Sequence, residues 1–167
     1  LNFHGDIRAS EVALLREEVT AILVGVREDD EVVVCLESAG GMVHAYGLAA
    51  SQIMRLRDAG VHVTVSVDKV AASGGYLMAC VANRILAAPF AVIGSIGVVA
   101  EIPNFNRLLK KHDIDYEQIS AGEYKRTISM LGETTDRARA KVKEEVEQTH
   151  TLFKDFVKEC RPVIDLD

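Results

Sequence analysis

Charged residues make up 26% of this 167-residue chain, yet the 31 residues from Val70 to Ala100 contain a single one, Arg84. So long a stretch without charge is disposed to leave water, which restricts it to a membrane span, a core or the wall of a site. A spanning helix needs about 20 consecutive, predominantly apolar residues. The longest uncharged run here, Ile85 to Ala100, has 16 residues and is broken by Pro89, Gly94 and Gly97. It therefore reads as a buried core segment. At the start of the chain, Leu1-Asn2-Phe3-His4-Gly5-Asp6 has neither the basic n-region nor the apolar h-region of a secretory signal. Without an initiator Met, the chain reads as processed or as part of a longer one.

The remaining composition narrows the class of function. Nineteen basic against 25 acidic side chains give a net charge of −6 and a pI near 5.4, which argues against a nucleic-acid footprint. Three cysteines, Cys35, Cys80 and Cys160, are too few and too scattered for a disulfide scaffold or a zinc site. Cys35 lies in an apolar run and Cys80 in the charge-poor window, so both are expected as buried small hydrophobes. Nothing in the sequence asks for a metal or cofactor.

Hydrophobic periodicity alternates between strand and helix. Ser10 is placed to cap a helix through Val12, Leu15, Val19, Ile22 and Val26. Glu31–Glu37 follows as a near-continuous apolar strand, the pattern of a strand covered on both faces. Residues 45–59 return to helical spacing and end at Gly60. Val61–Val67 is β-branched at every second position and is the clearest strand. A short helix is expected over Leu77–Ala82, strands over Arg84–Ala87 and Tyr116–Ser120, and a helix closing over Leu108–His112. Thr135 caps a long polar helix from Asp136 to about Cys160, whose narrow seam is Val142, Val146, Phe153 and Val157. Such alternation implies one α/β domain, residues 1–167, with a mainly parallel sheet flanked by helices.

Ligands of parallel sheets bind outside the carboxyl ends of strands. Two glycine-rich turns fall at such ends, Ser38-Ala-Gly-Gly41 and Ala72-Ser-Gly-Gly75, and each precedes a helix. Together they are able to aim backbone N–H groups at one oxyanion. Ser73 in the second turn reads by spacing first as an N-cap, with a nucleophile as the alternative. It is not in a G-x-S-x-G elbow, because Ala71 holds the first glycine position. His44, beside the first turn, is the one credible imidazole base. Ser66-x-x-Lys69 matches the Ser-x-x-Lys pattern, but at a strand end rather than a helix start. Lys125, in Gly122-Glu-Tyr-Lys-Arg-Thr, lies in a loop and by itself reads as a surface lysine.

Three ordered motifs, Ala71-Ala-Ser-Gly-Gly-Tyr76, Gly94-Ser-Ile-Gly-Val98 and Gly122-Glu-Tyr-Lys125, resemble those of the signal peptide peptidase A family of serine proteases. The likeness is greatest to its SohB-type members and runs from Phe3 to about Arg161. It implies the Clp-protease/crotonase-like fold. It also implies Ser73 as nucleophile, Lys125 as general base and Ser95 as the hydroxyl that hydrogen-bonds the lysine. Gly41 and Gly74 become the oxyanion donors. Ala39 stands where the family's first turn carries proline, implying a less rigid loop. Family domains continue beyond Asp167 with a further strand and helix. An upstream membrane anchor is likewise implied, with the catalytic domain on the periplasmic side of a bacterial inner membrane. Expected partners are apolar peptide substrates and other copies of the chain in a homo-oligomer, with no nucleic acid. Two other classes share these features: a crotonase-type acyl-CoA hydratase or isomerase, and a non-catalytic scaffold in which Ser73 only caps a helix.

Overall fold

The computed structural model describes residues 1–119, 121–122 and 127–165. The chain forms two compact units, one of Leu1–Gly97 with the chain from Phe153 onward, the other of Val98–Leu152.

The first unit carries the sheet. Its elements are β1 (Asn2–Gly5), α1 (Val12–Gly25), β2 (Glu31–Ser38), α2 (Val43–Asp58), β3 (His62–Val67), β4 (Val70–Ala72), α3 (Gly74–Ala79), β5 (Arg84–Ala87) and β6 (Val92–Gly94). The strands run in the order β5-β3-β2-β4-β6, with β1 also paired to β2. Every pairing among the described residues is parallel. The short strand β4 bridges β2 at Ser38↔Ala71 and β6 along Val70↔Val92 to Ala72↔Gly94. This is a mainly parallel α/β sheet flanked by helices, of the Clp-protease/crotonase-like kind.

The core lies under the helices. Val34, Leu36, Val63 and Val65 of the sheet, Leu15 and Val19 of α1, Ala49, Ile53 and Leu56 of α2, and Met78 of α3 are all at most 2% exposed, with α2 packed on α1, α3 and β3, and α3 on β2. Phe153 and Val157 are buried in this unit, and Arg161 donates to the carbonyl oxygens of Ala82 at 2.6 Å and Asn83 at 3.3 Å.

Several expectations are corrected here. Strand β2 alternates strictly between exposed and buried positions, so Val33 and Cys35 face outward and only one face is covered. An apolar run shows that a strand is short of polar side chains; it does not show how many layers cover it. The charge-poor window splits likewise. Its first part, Ala71–Ala82, is largely buried, whereas Phe90 is 98% exposed and Leu86, Val92 and Ile93 are exposed too. Helix α3 begins at Gly74, three residues before the expected start. Ser10 does not cap α1: the N-cap position is Glu11, and the Ser10 hydroxyl instead donates to Asp6 Oδ2 at 2.7 Å. A carboxylate four residues upstream captures it first.

In the second unit, α4 (Asn106–Lys111) is followed by no strand at residues 115–119, and Ser120 lies outside the described residues. The Asn104 amide ties the following loop by donating to Ser129 O at 3.1 Å and Gly132 O at 2.9 Å. Helix α5 (Asp136–Cys160) is capped by Thr135, whose Oγ1 accepts from Ala138 N at 3.1 Å. Its Val142 and Val146 line an apolar groove closed by Val98, Val99 and Ile102 of the same unit. No helix among the described residues is long and apolar enough to cross a membrane.

The covered face sets a measurable asymmetry. Truncating Ile53, fully buried, to Ala is expected to cost about 2–5 kcal/mol in chemical denaturation. The same truncation at Val33, 46% exposed on the open face, should stay within roughly 0.5 kcal/mol.

Candidate active site

Ser73 is one of four non-glycine residues with a positive φ among the described residues. It joins β4 directly to α3 with φ +51° and ψ −118°. For a residue with a Cβ this conformation costs on the order of 1–3 kcal/mol and persists only where neighbouring structure enforces it. Two hydrogen bonds do so. Ser73 N donates to Gly94 O at 2.8 Å, continuing the β4–β6 ladder, and Leu77 N donates to Ser73 O at 2.9 Å, opening the helix. The side chain makes no capping hydrogen bond to α3 and is partly exposed. An N-cap serine gives its hydroxyl oxygen to the helix; this one does not. Ser73 instead stands at a strained strand-to-helix turn with its hydroxyl not engaged by the helix.

The first glycine turn is held against the second. Gly40 (φ +90°) lies so close that an added Cβ would sit 2.6 Å from Gly74 N and 2.8 Å from Ser73 Cβ. A Cβ on Gly75 would come within 2.5 Å of Ser38 O, and one on Gly74 within 2.4 Å of the Tyr46 ring. Gly41 abuts the Ile7 carbonyl, and Met42 N donates to Ile7 O at 2.8 Å. Among the described residues the N–H groups of Gly41 and Gly74 have no acceptor. Gly74 is the first residue of α3, where intrahelical partners do not reach.

The structure thus brings together four of the five sequence-predicted site residues in the first unit: Ser73, Gly74, Gly41 and Ser95. The Ala72↔Gly94 register carries Ser73 and Ser95 off the ends of adjacent parallel strands. Ser95 is exposed and has φ +55°. Lys125, with the neighbouring Glu123, lies outside the described residues.

Other candidates have separate employment. Lys69 of the Ser-x-x-Lys match is ion-paired with Glu37 at 3.1 Å. Cys80 is buried, and desolvation, then the adjacent Cys160 thiol, pushes its own thiol well above the ordinary range, so it supplies no thiolate. Cys35 is exposed, against expectation. His44 is exposed in the first turn of α2. No cluster of three metal-ligating side chains occurs among the described residues.

Ser38 and Tyr46 were not legible as site residues. Ser38 Oγ accepts from Gly40 N at 3.0 Å and lies 2.6 Å from Tyr46 Oη, which in turn donates to Asp6 O at 2.7 Å. Asp6 is itself fixed: its carboxylate accepts from Ser10 N at 2.9 Å and Arg8 N at 3.0 Å, and the Ser10 bonds hold its carboxyl below the usual range. One sequence signal existed. Tyr46 shares the inward face of α2 with Ala49, Ala50 and Ile53, and a buried phenol needs a polar partner.

Comparison with known proteins agrees with this geometry. Peptidase family S49 matches residues 55–167, and the N-terminal region of the same family matches residues 1–53. The chain is similar over its whole length to the "Probable protease SohB" of Haemophilus influenzae, at 60% identity, and to that of Buchnera aphidicola subsp. Schlechtendalia chinensis, at 58%. It spans about half of those relatives, 47% and 55% of their lengths. "Protease 4" of Salmonella typhi is 29% identical over 162 residues, covering 96% of this chain and 24% of that relative.

The contact between the turns predicts a contrast between two left-handed glycines. Gly40→Ala should lose roughly 1–3 kcal/mol to overpacking beyond the conformational penalty of about 1–2 kcal/mol. Gly60→Ala, at φ +83° with nothing near its Cβ position, should show the conformational penalty alone. Denaturation of the two variants side by side checks this.

Proposed function

The chain belongs to peptidase family S49, and we propose that it is the catalytic part of a serine endopeptidase using a Ser73–Lys125 dyad. The observation that carries the reading is Ser73 itself: a strained backbone at a strand-to-helix turn with no capping bond from its hydroxyl, beside two backbone donors that lack acceptors among the described residues.

The chemistry runs in two halves. Ser73 Oγ attacks the scissile carbonyl carbon and passes its proton to neutral Lys125 Nζ. The N–H groups of Gly41 and Gly74 hold the oxyanion of the tetrahedral adduct. Collapse breaks the C–N bond, and the departing amine takes the proton from Lys125, leaving an ester on Ser73. Water then yields a proton to Lys125 and attacks the ester; Ser73 leaves with that proton. In this reading Ser95 orients the lysine.

A lysine accepts a proton only when neutral, and its reference pKa is about 10.4. Reaching about 8 requires roughly 2.4 units, or about 3.3 kcal/mol against the ammonium. The uncharged surroundings of Ser73 support this, because Val70–Asn83 offers no carboxylate to hold an ammonium. The substrates proposed are extended apolar peptides such as signal-peptide remnants or other membrane-derived segments. They are met at the periplasmic face of a bacterial inner membrane, with attachment through an upstream segment. The exposed apolar side chains of Leu86, Phe90 and Val92 support a homo-oligomer.

Fluorophosphonate labelling tests the dyad. Labelling should disappear in Ser73→Ala and fall at least 100-fold in rate in Lys125→Ala; labelling that survives Lys125→Ala unchanged removes the lysine from the mechanism. The pH profile is an independent measurement. Activity should rise on the alkaline side of neutrality, as the ammonium loses its proton with a midpoint of about 8. A midpoint near 6.5 would point to His44 instead.

A further inference from the structure

Two oxyanion donors from turns more than 30 residues apart must keep their mutual geometry to within about 0.5 Å. Close packing of glycines brings the turns together, but packing alone does not set the angle of a peptide plane. The hydrogen bonds around Gly41 do. On its N-terminal side Gly40 N is held by Ser38 Oγ at 3.0 Å, and on its C-terminal side Met42 N is held by Ile7 O at 2.8 Å. Gly41 lies between two clamped peptides, with its own N–H left over.

Proton counting fixes the direction of the bonds behind the first clamp. Tyr46 Oη has one proton, and the Asp6 carbonyl, 2.7 Å away, can only accept. Ser38 must therefore be the donor in its 2.6 Å contact with Tyr46. That leaves a Ser38 lone pair for Gly40 N–H. The chain of donors runs Gly40 N–H, Ser38 O–H, Tyr46 O–H, Asp6 C=O. Ser38 is 2% exposed and Tyr46 fully buried, so no water stands in for a lost member, and each bond polarises the next. The other acceptor near Ser38 Oγ is Gly5 O, at a weak 3.4 Å. The Tyr46 ring, packed edge-on to Phe3, also abuts Gly74.

We infer that Tyr46 and Ser38 are positioning residues for hydrolysis, a buried relay that sets the Gly41 donor while the Tyr46 ring seats Gly74. The inference rests on the proposed oxyanion role of those two glycines. Tyr46 touches neither substrate nor nucleophile; it acts through the two turns. Burial pushes its phenol above the ordinary value, so the relay stays protonated throughout the alkaline rise expected of Lys125.

The test is made in the full chain with Tyr46→Phe, Ser38→Ala and the double variant. Two readouts are taken: kcat and KM on a fluorogenic apolar peptide amide, and end-point fluorophosphonate labelling, which counts intact Ser73 sites. Each single variant should lower kcat about tenfold, less than the roughly 100-fold or greater loss on deleting an oxyanion donor outright. KM and end-point labelling should stay within twofold. The double variant should be no slower than the worse single one, since both break one relay. A Tyr46→Phe enzyme with parental kcat overturns the inference. So do multiplying losses in the double variant, or a fall in kcat matched by an equal fall in labelled sites, the mark of a folding defect. Labelling that persists in Ser73→Ala overturns the nucleophile reading and the relay with it, whereas Ser73-dependent labelling with unaffected variants overturns the relay alone.

Discussion

The absence of a side chain at Gly40 is the constraint on which the site depends. At φ +90°, with the place a Cβ would take already filled by Gly74 N and Ser73 Cβ, Gly40 lets two strand ends and two helix starts meet. A Cβ there would force the turns to shift, because the facing atoms are the backbone of Gly74 and Ala72 and the Cβ of Ser73, none of which can swing away. The strained backbone of Ser73 belongs to the same crowded contact. Ser73 is pinned through its N–H to Gly94 and through its C=O to Leu77, and the sheet and helix absorb the cost of its conformation.

Burial then distributes the chemistry. Helices α1, α2 and α3 cover one face of the sheet, and their contact with it supplies the dry material behind Ser73. The other face of β2 and the strip around Phe90 stay open. The single uncharged window thereby serves two surfaces with different demands. Its first half is core and positions the serine. Its second half presents apolar side chains outward, where covering them is favourable and covering a charged surface of equal area is costly.

Much of this was legible in the residues. The β-branched alternation of β3 and the Thr135 cap of α5 appeared as read, because periodicity and capping are local properties. The two glycine turns were located by the same means. Local reasoning failed where a partner outside the segment competed. Asp6 took the Ser10 hydroxyl that was expected on α1. Whether β2 was covered once or twice depended on layers contributed by distant chain. Ser73 was ambiguous in the sequence for a physical reason: an N-cap and a nucleophile occupy the same place between strand and helix, and only the direction of the hydroxyl separates them.

By itself, the sequence determined the alternation of elements, the parallel α/β class, and the place of the two glycine turns. These follow from side-chain period, glycine placement and charge, which are properties of neighbours along the chain. The tertiary structure alone decided that Gly40 packs on Gly74, that Ser73 leaves its helix uncapped, and that Ser38 and Tyr46 stand behind the first turn. Those are contacts between segments up to 40 residues apart. Their strength comes from burial and proton direction, neither of which a linear pattern encodes.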